Sequence, residues 1–238
     1  MSIISLSGFI GSGKDTVAEY LEQNYGYYRF SLIKSLRDSV ASIFGWDRDM
    51  LDGRTPEAVV QRNIVDQWWT DALDLGIDIT PRWVLQNLGT EVMRNHFHPD
   101  IWMLSSKRWL SAHKGEKIVI ADARFLNELG MLQDLGAFQT GIYRTVNKGL
   151  KRFYEEVEDT VVMSGHTGPF AHMRVDSPVI RNVLAECVDI ANDKTLKLHA
   201  SEVQHLVWPW YDTVFDNTKS KKHLYAQVES FLFNNDLG

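Results

Sequence analysis

Residues 8–16 read Gly8-Phe9-Ile10-Gly11-Ser12-Gly13-Lys14-Asp15-Thr16. They follow the apolar run Ile3-Ile4-Ser5-Leu6-Ser7 and precede a stretch with Val17, Ala18 and Leu21 on one helical face. A strand that runs into a glycine-rich turn and then a helix constrains the fold strongly. It demands a sheet whose first strand is buried, with a helix returning over it. It also specifies a chemistry. Glycines let backbone N–H groups converge on phosphate oxygens without Cβ obstruction, and the helix N-terminus adds partial positive charge. Lys14 can reach β- and γ-phosphates, and a hydroxyl can ligate Mg²⁺. The phosphate-loop pattern asks for Ser or Thr directly after the lysine. Here Asp15 stands there, with Thr16 next.

The chain has 238 residues, 44% of them hydrophobic, which suffices for one sizeable core. Its net charge of −6 disfavours a nucleic-acid polymer as partner, since that requires a basic face. A single cysteine, Cys187, excludes an internal disulfide framework and a cysteine metal cluster. No apolar run approaches the roughly 18 residues of a membrane span, and the opening strand leaves no room for a signal peptide. The expectation is a cytoplasmic protein with no membrane partner.

Apolar patterning predicts strands over 3–7, 27–31, 118–122, 138–144 and 212–216. Between them it predicts helices over 14–24, 34–44, 100–113, 124–135 and 220–233. Thr80-Pro81 is a helix start, with Thr80 as N-cap and Pro81 at the first helical position. That helix carries Val84, Leu85, Leu88 and Val92 as its apolar stripe and ends at His98-Pro99-Asp100. Residues 45–80 are polar and Trp-rich, and Glu57 to Leu75 has helical periodicity through Val60, Ile64 and Trp68. A short helix is expected over 200–207. Residues 147–196 show few clean periods. The whole reads as a single α/β domain over 1–238, with a central parallel sheet of about five strands flanked by helices. Residues 45–80 form a helical substrate-side region, and 147–196 a lid-like insertion.

Ligands in parallel sheets bind at the carboxyl ends of strands. Asp122 ends the strand 118–122, where a carboxylate can hold the Mg²⁺ hydration shell opposite Thr16, or cap the following helix. Arg124 and Glu128 are spaced i and i+4. That gives either a surface ion pair worth ~0.3–0.5 kcal/mol or a phosphate clamp with a nearby polar reader. Gln86, Thr90 and Arg94 repeat every four residues. Gly89 among them costs a helix about 1 kcal/mol, which points to a flat ligand or tight helix packing. Trp102 suits either a core or a stacking role, and Lys34 either solvent or the ligand crevice. His96, His98, His166, His172 and His199 have no zinc spacing, and the acidic stretch 155–159 suits a solvated face.

Together these segments resemble the phage deoxynucleoside monophosphate kinases. The matching pieces are Gly8–Thr16, Arg82 with Leu85-Gln86-Asn87-Leu88-Gly89-Thr90-Glu91, Pro99-Asp100-Ile101-Trp102, Asp122-Ala123-Arg124-Phe125-Leu126-Asn127-Glu128, and His199-Ala200-Ser201-Glu202. They occur in family order over roughly 1–44, 81–145 and 198–235. The resemblance implies a three-layer P-loop kinase fold and transfer of the ATP γ-phosphate to a deoxynucleoside monophosphate. Carried over, Gly11, Ser12, Gly13, Lys14, Asp15 and Thr16 hold ATP. Lys34, Arg82, Gly89, Thr90, Trp102, Asp122, Arg124 and Glu128 surround the monophosphate. Lys14, Asp122 and Arg124 are the catalytic set, with Mg²⁺ on Thr16 directly and on Asp122 through water. The family also implies a homodimer and, for a phage-encoded chain, the host cytoplasm.

Two departures stand out. The loop's variable positions, Phe9, Ile10 and Ser12, carry no cation. Residues 147–196 are extra beside the family; Arg144, Lys148, Lys151, Arg152 and Arg174 in or beside them either form a lid that closes over ATP or belong to a solvated surface elaboration. Competing readings are a phosphate-loop kinase for another small acceptor, of the dephospho-coenzyme A or phosphomevalonate kind, and a non-catalytic ATP-binding module.

Overall fold

The computed structural model describes residues 2–9, 11–144 and 211–238. The expected lid-like insertion 147–196 and the helix 200–207 lie outside them. Two compact units are present. One comprises Met1–Phe30 with Gly115–Gly238, and the other Ser31–Lys114.

The first unit is built on a five-stranded sheet in which every pairing is parallel. Its strands are β1 (Ser2–Ser7), β2 (Tyr28–Phe30), β3 (Lys117–Ile120), β4 (Phe138–Tyr143) and β5 (Thr213–Asp216), ordered β2-β3-β1-β4-β5. The sheet expected from sequence is thus present, with β1 at its centre. Burial on both faces explains why β1 and β3 read as unbroken apolar runs. On one face Ile4, Leu6, Val119, Ile142 and Phe215 meet two helices. These are α1 (Lys14–Tyr25), through Val17, Ala18 and Leu21, and the last described helix, α9 (Lys221–Asn234), through Leu224, Val228, Phe231 and Leu232. On the other, Gln139 Nε2 donates to the Leu129 carbonyl at 3.2 Å and ties α8 (Leu126–Asp134) to β4. The unit therefore has three layers, helix, sheet and helix.

The second unit is helical. It contains α2 (Lys34–Phe44), α3 (Arg48–Asp52), α4 (Pro56–Gln61), α5 (Gln67–Leu73), α6 (Pro81–Gln86) and α7 (Ile101–Ala112). Its core joins Leu36, Val40, Leu51, Ile79, Val84 and Trp102, with Phe44, Trp46, Trp69 and Trp83 packed against them.

Three sequence expectations change here. The stripe of residues 57–75 is not one helix. Asp66 breaks it by accepting from Trp69 N at 3.1 Å and Trp46 Nε1 at 2.7 Å, so that α5 starts afresh. Val60, Ile64, Trp68 and Leu75, which carried the helical period, are 56–67% exposed. The helix from Thr80-Pro81 starts as expected, with Thr80 Oγ1 accepting from Trp83 N. However, Asn87–Phe97 continues it as π-helix, which shifts the period and leaves Val92 exposed. Finally, α8 begins at Leu126 rather than Arg124.

Candidate functional site

The phosphate loop of the sheet unit forms at the carboxyl end of β1. Ser12 N donates to the Phe9 carbonyl at 3.0 Å, which folds the chain back, and Phe9 itself is fully buried. Gly13 caps α1 at φ +109°, with no side-chain capping hydrogen bond among the described residues. The first-turn N–H groups of α1 have no intrahelical acceptor, so they and the helix dipole face the loop. Two glycines are steric necessities. A Cβ on Gly8 would lie 2.6 Å from both the Ile142 carbonyl oxygen and Ser12 Oγ, and one on Gly13 would lie 2.4 Å from Asn217 Nδ2.

Lys14 is 91% buried, and its Nζ donates to the Gly8 and Phe9 carbonyls at 2.7 Å each. The ammonium is thus fixed inside the loop, where an anion held by the N–H groups would meet it. Asp15, the departure from the motif, points outward. Its side chain is 80% exposed and pairs with Arg29 on β2. An acidic residue in the first helical turn also suits the dipole. Thr16 is half-buried one residue on.

Sequence reasoning missed one residue of the loop. Asn217 directly follows β5, is 9% exposed, and donates from Nδ2 to the Ser12 carbonyl at 2.8 Å. Its own N donates to the Tyr143 carbonyl, and Asp216 before it is gripped by Gln227 through both backbone groups. The available signal was the polar run Asp216-Asn217-Thr218 at a strand's carboxyl end, the same signal that singled out Asp122.

Asp122, half-buried, follows β3. The parallel register pairs Ser5 with Ile120, so two residues further along, Asp122 leaves the sheet beside Ser7 and the loop. Thr16 and Asp122 offer a hydroxyl and a carboxylate, hard oxygen donors of the kind Mg²⁺ takes alongside substrate phosphates. Arg124 is exposed and lies ahead of α8, so it does not share a helix face with Glu128 as the spacing suggested. Instead Glu128, 6% exposed, turns back. Its Oε2 accepts from Arg124 N at 2.9 Å and Phe125 N at 3.2 Å. Nor does Asp122 cap the helix, because Phe125 occupies the N-cap. The segment 122–125 is thereby held extended at the strand end.

The helical unit carries the other predicted residues. Gly89 is buried against Leu36, and Trp102 Nε1 donates to the Gly89 carbonyl at 2.9 Å. Trp102 is 7% exposed, so its direct surroundings are core. Thr90 and Arg82 are exposed, Arg82 in the first turn of α6. Lys34, at the start of α2, pairs with Asp38 at 2.5 Å. The structure therefore gathers Gly11–Thr16, Asp122, Arg124 and Glu128 in the sheet unit, and Lys34, Arg82, Gly89, Thr90 and Trp102 in the helical unit.

Comparison with known proteins adds one full-length relative. A protein of Acanthamoeba polyphaga mimivirus, whose name provisionally assigns it as a deoxynucleotide monophosphate kinase, is 25% identical over 245 residues. The match covers 98% of this chain and 97% of the viral one. No family model matches the chain. Among solved structures, TT1252 from Thermus thermophilus aligns with a TM-score of 0.43 and 18% identity, covering 98% of this chain and 97% of its own. A dephospho-CoA kinase from Campylobacter jejuni aligns with a TM-score of 0.43 and 15% identity, covering 98% of each chain. At these scores neither structure bears on function.

Proposed function

We propose that this chain is an ATP-dependent kinase that transfers the γ-phosphate to a deoxynucleoside monophosphate, giving the diphosphate. The observation that carries the kinase reading is the loop itself. A glycine-capped helix end, with no side-chain capping hydrogen bond among the described residues, surrounds a buried Lys14 at the carboxyl end of the central strand. The mimivirus relative, matched along nearly its whole length, supports the acceptor.

In this reading Gly11 to Thr16 hold the ATP phosphates through backbone N–H groups, and Lys14 bridges the transferring phosphoryl. Thr16 and Asp122 would hold Mg²⁺, which would supply charge neutralisation at the phosphates. Arg124 offers a planar fork to a phosphate at the end of β3. Glu128, spent on backbone N–H groups, acts by setting where Arg124 stands. Lys34, Arg82 and Thr90 serve the acceptor, and Trp102 shapes its wall by fixing Gly89. No covalent intermediate is required, because in-line positioning and charge neutralisation suffice.

The test is coupled ADP release, with each deoxynucleoside monophosphate in turn and with dephospho-coenzyme A and phosphomevalonate alongside. Turnover with at least one monophosphate and none with the other two is expected. Turnover only with one of the latter moves the acceptor reading to that compound. Nucleotide binding without any turnover overturns the kinase reading.

A further inference from the structure

Around Asp38 and Asp52, in the helical unit, basic side chains outnumber the two carboxylates they pair with. Asp38 is shared between Lys34 Nζ at 2.5 Å and Arg48 Nε at 2.6 Å. Asp52, with a side chain 12% exposed, takes Arg48 at 2.7 Å, Arg37 at 3.1 Å and the more distant Arg54 at 3.6 Å. Both acids are therefore already divided among several cations. Arg62 enters the same cluster with only Asp52, already shared with other arginines, as a charge partner. Its guanidinium lies flat on the backbone at Gly53, so that a Cβ there would fall 2.3 Å from Arg62 Cζ. Gly53 adjoins Asp52, and Arg82 N donates to the Arg62 carbonyl at 2.9 Å, which brings the start of α6 alongside.

Arg62 is half-buried. Its Nε is fully screened from solvent and has no hydrogen-bond partner among the described residues. Burial, with the charges of Arg37 and Arg82, pushes its guanidinium pKa down from the usual value, against the opposing charge of Asp52. Arginine cannot answer by losing its proton. An unmet buried donor is costly, and more so when charged. The rest of the fold offsets that cost, and an anion reaching the cluster would recover part of it. Planar forks gathered from separate segments suit a tetrahedral oxyanion with several acceptor oxygens, and a doubly charged phosphate monoester matches the excess better than a single carboxylate.

We propose that Arg62, flanked by Arg37 and Arg82, is an oxyanion seat that takes the phosphate of the monophosphate acceptor. Within the kinase reading on which this rests, it adds Arg62 and Arg37 to the acceptor side and makes Gly53 the platform that keeps the Arg62 fork flat. Lys34, engaged by Asp38, stands outside this pair.

The test uses the full chain and the Arg62 Nε–H resonance, assigned by its disappearance in Arg62→Lys. Titration of the wild-type protein with inorganic phosphate, at ionic strength matched with chloride, is expected to shift that resonance, and a deoxynucleoside monophosphate is expected to shift it at lower concentration. In steady-state kinetics Arg62→Lys is expected to raise KM for the acceptor about tenfold or more, the loss of one charge-assisted hydrogen bond, and leave KM for ATP unchanged. A resonance that neither ligand moves overturns the seat, as does an acceptor KM that is unaltered or rises only in step with that for ATP. If no monophosphate is turned over but phosphate still moves the resonance, the seat stands and the acceptor reading falls.

Discussion

Trp102 donates its indole N–H to the Gly89 carbonyl at 2.9 Å, and both residues are buried in the helical unit. Gly89 belongs to the π-helical stretch, and a Cβ there would sit 2.7 Å from Leu36 Cδ2 and push that side chain aside. The bond therefore pins an irregular backbone to the core. Trp102→Phe should cost about 0.5–1.5 kcal/mol, the worth of the buried hydrogen bond it removes. Trp68→Ser, at a side chain 67% exposed, should stay within about 0.5 kcal/mol of wild type. Urea unfolding of the two variants side by side measures the contrast, and equal losses would show that Trp102 does not carry the π-helical segment.

Asn217→Ala removes the donor that holds the Ser12 carbonyl. A loss of about 1–3 kcal/mol is expected from the unmet acceptor. The sharper expectation is functional. The nucleotide KM should rise while the acceptor KM stays put, since the loop alone loses its brace. Paired initial-rate series in each substrate distinguish this outcome from general unfolding.

Lys14→Ala takes away the cation buried in the loop. Phosphoryl transfer should fall at least about a hundredfold, as expected for a preorganised charge acting on the transition state. Single-turnover phosphoryl transfer at saturating nucleotide provides the measurement. A rate within a few fold of wild type would place the reacting phosphate elsewhere.

Asp216 accepts from Thr218 Oγ1 at 2.6 Å and Thr218 N at 2.8 Å, and these bonds hold its carboxyl below the usual carboxylate range. A carboxyl depressed by folding stabilises the native chain fully above its unfolded pKa of about 3.9. That contribution disappears as pH falls through the lower folded value. Asp216→Asn should therefore lower stability at neutral pH, change it little at low pH, and so flatten part of the acid limb. Urea midpoints across an acid series decide it; an unchanged acid limb in the variant rules the effect out.

The sheet was legible because its strands obey simple physics. β1 and β3 are buried on both faces and read as apolar runs, and Ser220 caps the last helix as its position suggests. Thr80-Pro81 was equally plain, since both residues act locally. What failed were patterns whose meaning depends on distant partners. The stripe through Ile64 and Trp68 has helical spacing but is interrupted by Asp66, whose anchor is Trp46, twenty residues earlier. Arg124 and Glu128 have the spacing of a helical pair, yet the helix starts two residues after Arg124, with the carboxylate capping backbone instead. Within the site, the loop was visible as a motif and its brace was not. Asn217 carries no motif, and its partner lies 205 residues away.

That separation has a consequence for how the protein comes into being. The residues of the proposed phosphate site are contiguous and near the beginning of the sequence, but the loop's conformation is closed by a side chain just past β5. Contacts of such long sequence separation form slowly, because the intervening chain must first be ordered. Affinity for nucleotide should accordingly emerge late in refolding, after sheet formation, and stopped-flow refolding followed by a fluorescent nucleotide analogue would time it. The earliest-written part of the site is, on this account, among the last to work.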